Sequence, residues 1–173
     1  HAEYLQSEQL AQVNPCIDPK FRHAMYFPQI ANVRNPRLLQ SMIRYLKQHP
    51  QVEFIEHCPI EQFNIVNGKV QSIRSQNKQT YFADQFVITT GAWSKHWSEQ
   101  LDLDIPVQPV QGQMVLFKTP ENWLPTMCMN KVMYLIPRLD GHVVCGSSMA
   151  NCGFDTTPTA ATKQTILEAC FEM

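Results

Sequence analysis

The stretch YLIPRLDGHVVCGSSM, residues 134–149, constrains the fold more than any other part of the chain. Two apolar runs flank Asp140-Gly141, a dipeptide suited to tight β-turns, so the stretch predicts an antiparallel hairpin. With these two residues centring the turn, Leu139 faces His142, Ile136 faces Cys145, Tyr134 faces Ser147 and Val132 faces Met149. A four-residue loop over 139–142 gives this pairing and puts Pro137 where no ladder hydrogen bond is needed. Directly opposed residues project to the same side, so Tyr134, Ser147 and Met149 are expected on one face. Gly146 marks a place where something approaches the backbone closely or where the strand bends. The face reads in two ways: as a pocket wall pairing a phenol with a thioether, or as core with Met149 as filler. Arg138 reads as a salt-bridged residue at the hairpin end.

Upstream, SEQLAQVNP predicts a short helix capped by Ser7 and stopped at Pro15. HAMYFPQIANV predicts a strand, or a strand pair crossing Pro28. NPRLLQSMIRYLKQHP is the clearest helix, with Pro36 in its first turn, one apolar face of Leu39, Met42, Ile43 and Leu46, and a stop at Pro50. QVEFIEH alternates like a strand. Asn67-Gly68 then signals a hairpin, and the β-branched run FVITTG predicts a further strand ending in glycine. Helix, strand, meander and strand in that order is a layout of nucleotide-binding halves. QMVLFK is expected as a strand, and a last helix begins near Thr157-Pro158. Ser94 is expected to cap a helix on which Trp93 and Trp97, four apart, share an apolar face. The fold class is therefore α+β, a largely antiparallel mixed sheet with helices and an inserted piece of α/β domain.

Fourteen basic residues against fifteen acidic ones, scattered singly, leave no electrostatic footprint for nucleic acid or an anionic membrane. No apolar run approaches a spanning helix, and the chain reads as cytoplasmic. The six cysteines show no C-x-x-C pair and the six histidines no ligand spacing. Reduced, partly buried thiols and no metal are the expectation.

Three stretches in order, FVITTGAWS (86–94), PVQGQMVLF (109–117) and the hairpin of 134–149, resemble the D-amino-acid-oxidase-like family of FAD-dependent amine oxidoreductases. The nearest branch is the glycine oxidases of bacterial thiamine synthesis. The resemblance implies a substrate-binding domain over 1–35 and 100–155, a partial FAD-binding domain over 36–99, and a helix over 156–173 leading to a further segment. It implies FAD as cofactor and an amine or amino acid as the small-molecule substrate, and it leaves a homo-oligomer open. The implied chemistry is hydride transfer from the substrate α-carbon to the flavin, imine hydrolysis, and reoxidation by oxygen. Tyr134 and Met149 match positions lining the substrate side of the flavin. Ile60 matches a backbone contact to the adenine. Thr90, Gly91, Ala92 and Trp93 match the turn beside the cofactor. No catalytic residue is identifiable.

The six glycines never form G-x-G-x-x-G, the pattern that cradles the pyrophosphate. The chain accordingly reads as the central piece of a longer enzyme, expected alone neither to retain FAD nor to turn over substrate. Rival readings within the class are a D-amino-acid dehydrogenase, a sarcosine-type oxidase and the flavin domain of a tRNA-modifying enzyme. A cofactor-free α+β binding module is the rival from another class.

Overall fold

The computed structural model describes residues 1–173 and divides into two compact units, one of 1–32 with 110–173 and the other of 33–109. Helices and antiparallel sheets are mixed, and every ladder is antiparallel.

In the first unit, β1 (Glu3–Gln6) pairs with β2 (His23–Tyr26) around α1 (Ser7–Val13). The cap of α1 is Gln6, one residue before the expected Ser7. Its backbone amide donates to Gln9 Oε1 at 3.1 Å, while Ser7 Oγ turns to Arg22 O. Four strands make the main sheet in the order β6 (Met114–Lys118), β9 (His142–Gly146), β8 (Tyr134–Pro137) and β7 (Cys128–Met129). The register aligns Val115, Cys145, Leu135 and Cys128 in one row, with Phe117 and Val143 beside it. Strand residues two apart share a face, so one apolar side is continuous across all four strands. Onto it packs α4 (Ala160–Phe171), driving Ile166 to 1% exposure against Leu124, Met133, Leu135, Val143 and Cys145. The cap of α4 is Thr159, not the expected Thr157, and its Oγ1 accepts from Thr162 N at 3.2 Å.

All six cysteines are free, with Cys145 fully buried and Cys152 exposed. Burial and the neighbouring Cys170 thiol push the Cys145 thiol up to about 12, so it carries no thiolate at neutral pH and serves as packing.

Asn14 is a buried polar anchor at 1% exposure. Its Nδ2 donates to Thr126 Oγ1 at 2.9 Å and to Cys128 Sγ at 3.0 Å, and its Oδ1 accepts from Cys16 N at 3.1 Å. Asn14→Ala strands those partners away from water, and a loss of about 1–3 kcal/mol in this unit is expected. Hydrogen exchange at β7 and β8 reads it, and an unchanged rate there is the contrary result.

In the second unit, α2 (Asn35–Lys47) forms as the sequence predicts, with Pro36 in its first turn. The hairpin of β3 (Ile60–Val66) and β4 (Lys69–Ser75) turns on Asn67 and Gly68, both at positive φ, as an Asn-Gly type I′ turn requires. β5 (Thr80–Phe82) completes a three-stranded sheet. A 3₁₀ helix spans Gly91–Trp97 and continues into α3 (Ser98–Leu101). Gln100 ties α3 to β3, accepting from Phe63 N at 3.0 Å and donating to Glu61 O at 3.3 Å. Two expected strands do not form: QVEFIEH and FVITT carry no strand residues. No hydrophobic residue of this unit is buried, and its buried residues are Ser72 and Ser75.

Candidate functional site

The β8–β9 hairpin keeps its expected place but closes one residue differently. Arg138 N donates to His142 O at 2.7 Å, and Gly141 N donates to Arg138 O at 3.2 Å. The loop is therefore the three residues Leu139, Asp140 and Gly141, with Gly141 in the left-handed region at φ 75°. A type I turn followed by a left-handed glycine makes this loop, whereas a four-residue loop was expected. The proline criterion could not separate the two. Pro137 lies next to a bonded closing pair in either case, so its missing N–H is harmless.

An odd loop slips the register by one and exchanges the faces of β9. Tyr134 stands opposite Gly146, not Ser147, and Ile136 opposite Val144, not Cys145. The expected grouping of Tyr134, Ser147 and Met149 by direct pairing is thereby overturned. Beyond Gly146 a bulge intervenes. Met114 pairs with Gly146 and Gln111 with Ala150, so three residues, 147–149, face two, 112–113. Met149 lies past this bulge and is 82% exposed.

The slip builds a different row: Met129, Tyr134, Gly146 and Met114 lie side by side across four strands. Leu116, Val144 and Ile136 form the next row on that face. Met114 and Leu116 are each 60% exposed and Met129 is 82% exposed, so this face is open where the opposite one is filled by α4. Gly146 is where its neighbours converge. A Cβ there would lie 2.8 Å from Met114 Cγ and 2.9 Å from Tyr134 Oη. The close approach expected at Gly146 is thus made by the chain's own tyrosine ring and methionine. The Tyr134 hydroxyl has no hydrogen-bond partner in the chain and is free to engage a ligand. Sequence reading missed Met114, Leu116 and Ile136 as its neighbours, although the alternation in QMVLFK could have singled out the first two.

Arg138 forms no ion pair, contrary to expectation, and its Nη1 is buried without a partner. No group of three or more His, Cys, Asp or Glu side chains is placed to hold a metal ion.

The other candidates lie in the second unit. Ile60 is half-buried at the start of β3, opposite Ser75. Thr90 precedes the 3₁₀ helix, with its Oγ1 3.1 Å from Ser94 Oγ; Ser94 sits inside that helix, not at its cap. Gly91 has φ 55°, and no atom lies within 4 Å of where its Cβ would be. Ala92 is half-buried and Trp93 is 63% exposed. Trp97 packs edge-on against Phe63 at 4.9 Å between centroids. The two tryptophans do not share a face, because three residues per turn set positions i and i+4 about 120° apart.

Comparison with known proteins agrees with the motifs. A family model described as FAD dependent oxidoreductase matches residues 1–173. The chain belongs to this family. It is 41% identical over 159 residues to the glycine oxidase of Pseudomonas putida, covering 92% of this chain and 43% of that protein. The glycine oxidase of Pseudomonas aeruginosa is 34% identical over the same shares. The crystal structure of glycine oxidase from Geobacillus kaustophilus superposes with a TM-score of 0.89 at 19% identity, over 100% of this chain and 46% of that one. The chain thus spans less than half the length of the curated relatives it matches.

Membership in an FAD-dependent family raises the question of whether these residues fit that cofactor. At Gly91 they do. The positive φ suits glycine, the space above it is open, and the Gly91 and Ala92 amides make no hydrogen bond within the chain. A cofactor edge could lie against that backbone and accept from it. The pyrophosphate cradle is another matter, since these residues include no G-x-G-x-x-G turn.

Proposed function

We propose that this chain is the central part of a flavin-dependent amine or amino-acid oxidoreductase of the glycine- or D-amino-acid-oxidase type. The open row of Tyr134, Gly146 and Met114 is the single observation that carries the reading. Residues 1–35 and 100–155 serve the substrate, and 36–99 serve FAD. Ile60 and the turn of Thr90, Gly91, Ala92 and Trp93 hold the cofactor by backbone contact. FAD, when bound, supplies the hydride acceptor for the substrate α-carbon.

What this chain contributes is placement. The free Tyr134 hydroxyl gives a small amine or amino acid one directional hydrogen bond. Met114 and Leu116 supply apolar surface that excludes water. Gly146 lets the hydroxyl end of the Tyr134 ring lie close against the strand, which sets the position of the hydroxyl above the sheet. No helix is long and apolar enough to cross a membrane, and free cysteines suit a reducing compartment, so we place the enzyme in the cytoplasm.

The test is Tyr134→Phe in the intact flavin-loaded enzyme, assayed for peroxide release with glycine, sarcosine and D-alanine. Losing one hydrogen bond to a charged substrate raises KM about tenfold while flavin content stays unchanged. Unaltered kinetics with all three amines, or no oxidation of any amine by the parent enzyme, would refute the reading.

A further inference from the structure

Four of the six thiols are engaged with groups other than thiols. Cys16 Sγ donates to Trp123 O at 2.7 Å, and Cys128 Sγ accepts from Asn14 Nδ2 at 3.0 Å. Cys58 Sγ lies 3.3 Å from Tyr81 Oη, and Cys152 Sγ donates to Asp155 O at 3.6 Å. Cys145 and Cys170 have no such partner, and each has the other's thiol beside it.

The fold brings these two together. Cys170 lies one turn after Ile166 on α4, and helical residues four apart share a face. Ile166 packs on Val143 and Cys145, so Cys170 continues the same stripe against β9. Cys145 is fully buried, whereas Cys170 is only half-buried. One thiol is within reach of a small solute, and the second stands behind it.

Their chemistry differs accordingly. Hydrogen peroxide converts an accessible thiol to a sulfenic acid, which condenses with a neighbouring thiol to a disulfide. Without a neighbour it is oxidised on to the sulfinic acid, which ordinary thiols do not reduce. Cys145 is protonated at neutral pH and shielded, so it is not the group that peroxide meets.

We propose that Cys145 and Cys170 form an oxidation site in which peroxide acts on Cys170 and Cys145 captures the product as a disulfide. In the first step the Cys170 sulfur attacks a peroxide oxygen. The O–O bond breaks, leaving the Cys170 sulfenic acid and water. In the second step the Cys145 sulfur attacks the Cys170 sulfur. The S–O bond breaks, the S–S bond forms, and hydroxide leaves with the Cys145 proton as water. Peroxide is thereby reduced to water and the thiol pair oxidised to the bridge, which ties α4 to β9 through the core. An amine oxidase that releases peroxide would supply this oxidant itself, and that part alone rests on the proposed function.

The test treats the intact flavin-loaded enzyme with hydrogen peroxide, alkylates the remaining thiols and maps the peptides by mass spectrometry. A cross-linked pair holding Cys145 and Cys170 appears, and dithiothreitol removes it. In the bridged enzyme, exchange at residues 166–170 slows roughly tenfold or more, because α4 can no longer lift from β9. Cys145→Ser gives no bridge and leaves Cys170 as the sulfinic acid, whereas Cys170→Ser leaves Cys145 unmodified. Three results in the parent enzyme would each overturn the inference: Cys170 as sulfinic acid beside a free Cys145 thiol, Cys170 untouched by peroxide, or a bridge from either residue to another cysteine. A second arm replaces added peroxide with glycine and oxygen. A bridge that forms with added peroxide but not in this arm upholds the pair and counts against glycine oxidation.

Discussion

Ile166→Ala is expected to cost the first unit about 2–5 kcal/mol, the range for removing a fully buried aliphatic side chain from a core that cannot close the gap. Ile166 is 1% exposed and is the one buried residue that α4 contributes. Its neighbours Leu135 and Cys145 are directly paired across the two central strands, and Val143 lies two residues along on the same face, so they have little freedom to move inward. Ala169 and Cys170 of the same helix also pack against this core but are only partly buried, so Ile166 is its principal anchor. Hydrogen exchange at residues 143–145 is the suitable readout, because it reports on this unit without assuming that both units unfold together. A loss at the lower end of the range speeds exchange about thirtyfold. Ile166→Val, which removes one methylene, is expected to cost about 0.5–1.5 kcal/mol. Equal exchange in the alanine variant and the parent would show that α4 does not close this core.

Gly146→Ala is expected to lower kcat/KM of the intact flavin-loaded enzyme by about tenfold, as much as removing the Tyr134 hydroxyl, with flavin content retained. The new methyl carbon would sit 2.8 Å from Met114 Cγ and 2.9 Å from Tyr134 Oη, inside contact distance of both. Those atoms belong to side chains that can swing away, so the strand survives while the tyrosine tip is lifted from its place. A displacement near 1 Å of a substrate-positioning group is enough for a loss of that order. The signature separates position from stability. Exchange at β9 is nearly as slow as in the parent, while turnover falls, and Tyr134→Phe combined with Gly146→Ala adds little further loss. Full activity in the single variant would mean that the Tyr134 ring is not set by the glycine beneath it.

Elements whose partners lie close along the chain were legible from residues alone. The Asn67-Gly68 turn, α2 with Pro36 in its first turn, and the short α1 before Pro15 formed where spacing placed them. The hairpin was legible as a hairpin. Its register was not, because both loop lengths satisfy Pro137, and only the left-handed Gly141 distinguishes them. That single residue moved Cys145 into the core and Gly146 beneath Tyr134. Helix starts were misread by one or two residues at Gln6 and Thr159, where several hydroxyl or amide side chains compete to cap the same amides.

The segments QVEFIEH and FVITT, expected as strands and found outside any ladder, illustrate a different limit. Their composition speaks for strands, but a strand is defined by a neighbour, and no local pattern says whether that neighbour is present. The amino-acid sequence by itself determined the Asn67-Gly68 hairpin and the tyrosine-bearing hairpin, because these follow from short-range turn chemistry and hydrophobic period, and it pointed to the family through the resemblance of three motifs. Only the tertiary structure decided which residue faces Tyr134, which cysteine fills the core beneath α4, and which apolar surfaces stay uncovered. Those outcomes depend on pairing and packing between distant segments, where a shift of one residue costs little locally and changes every contact across the sheet.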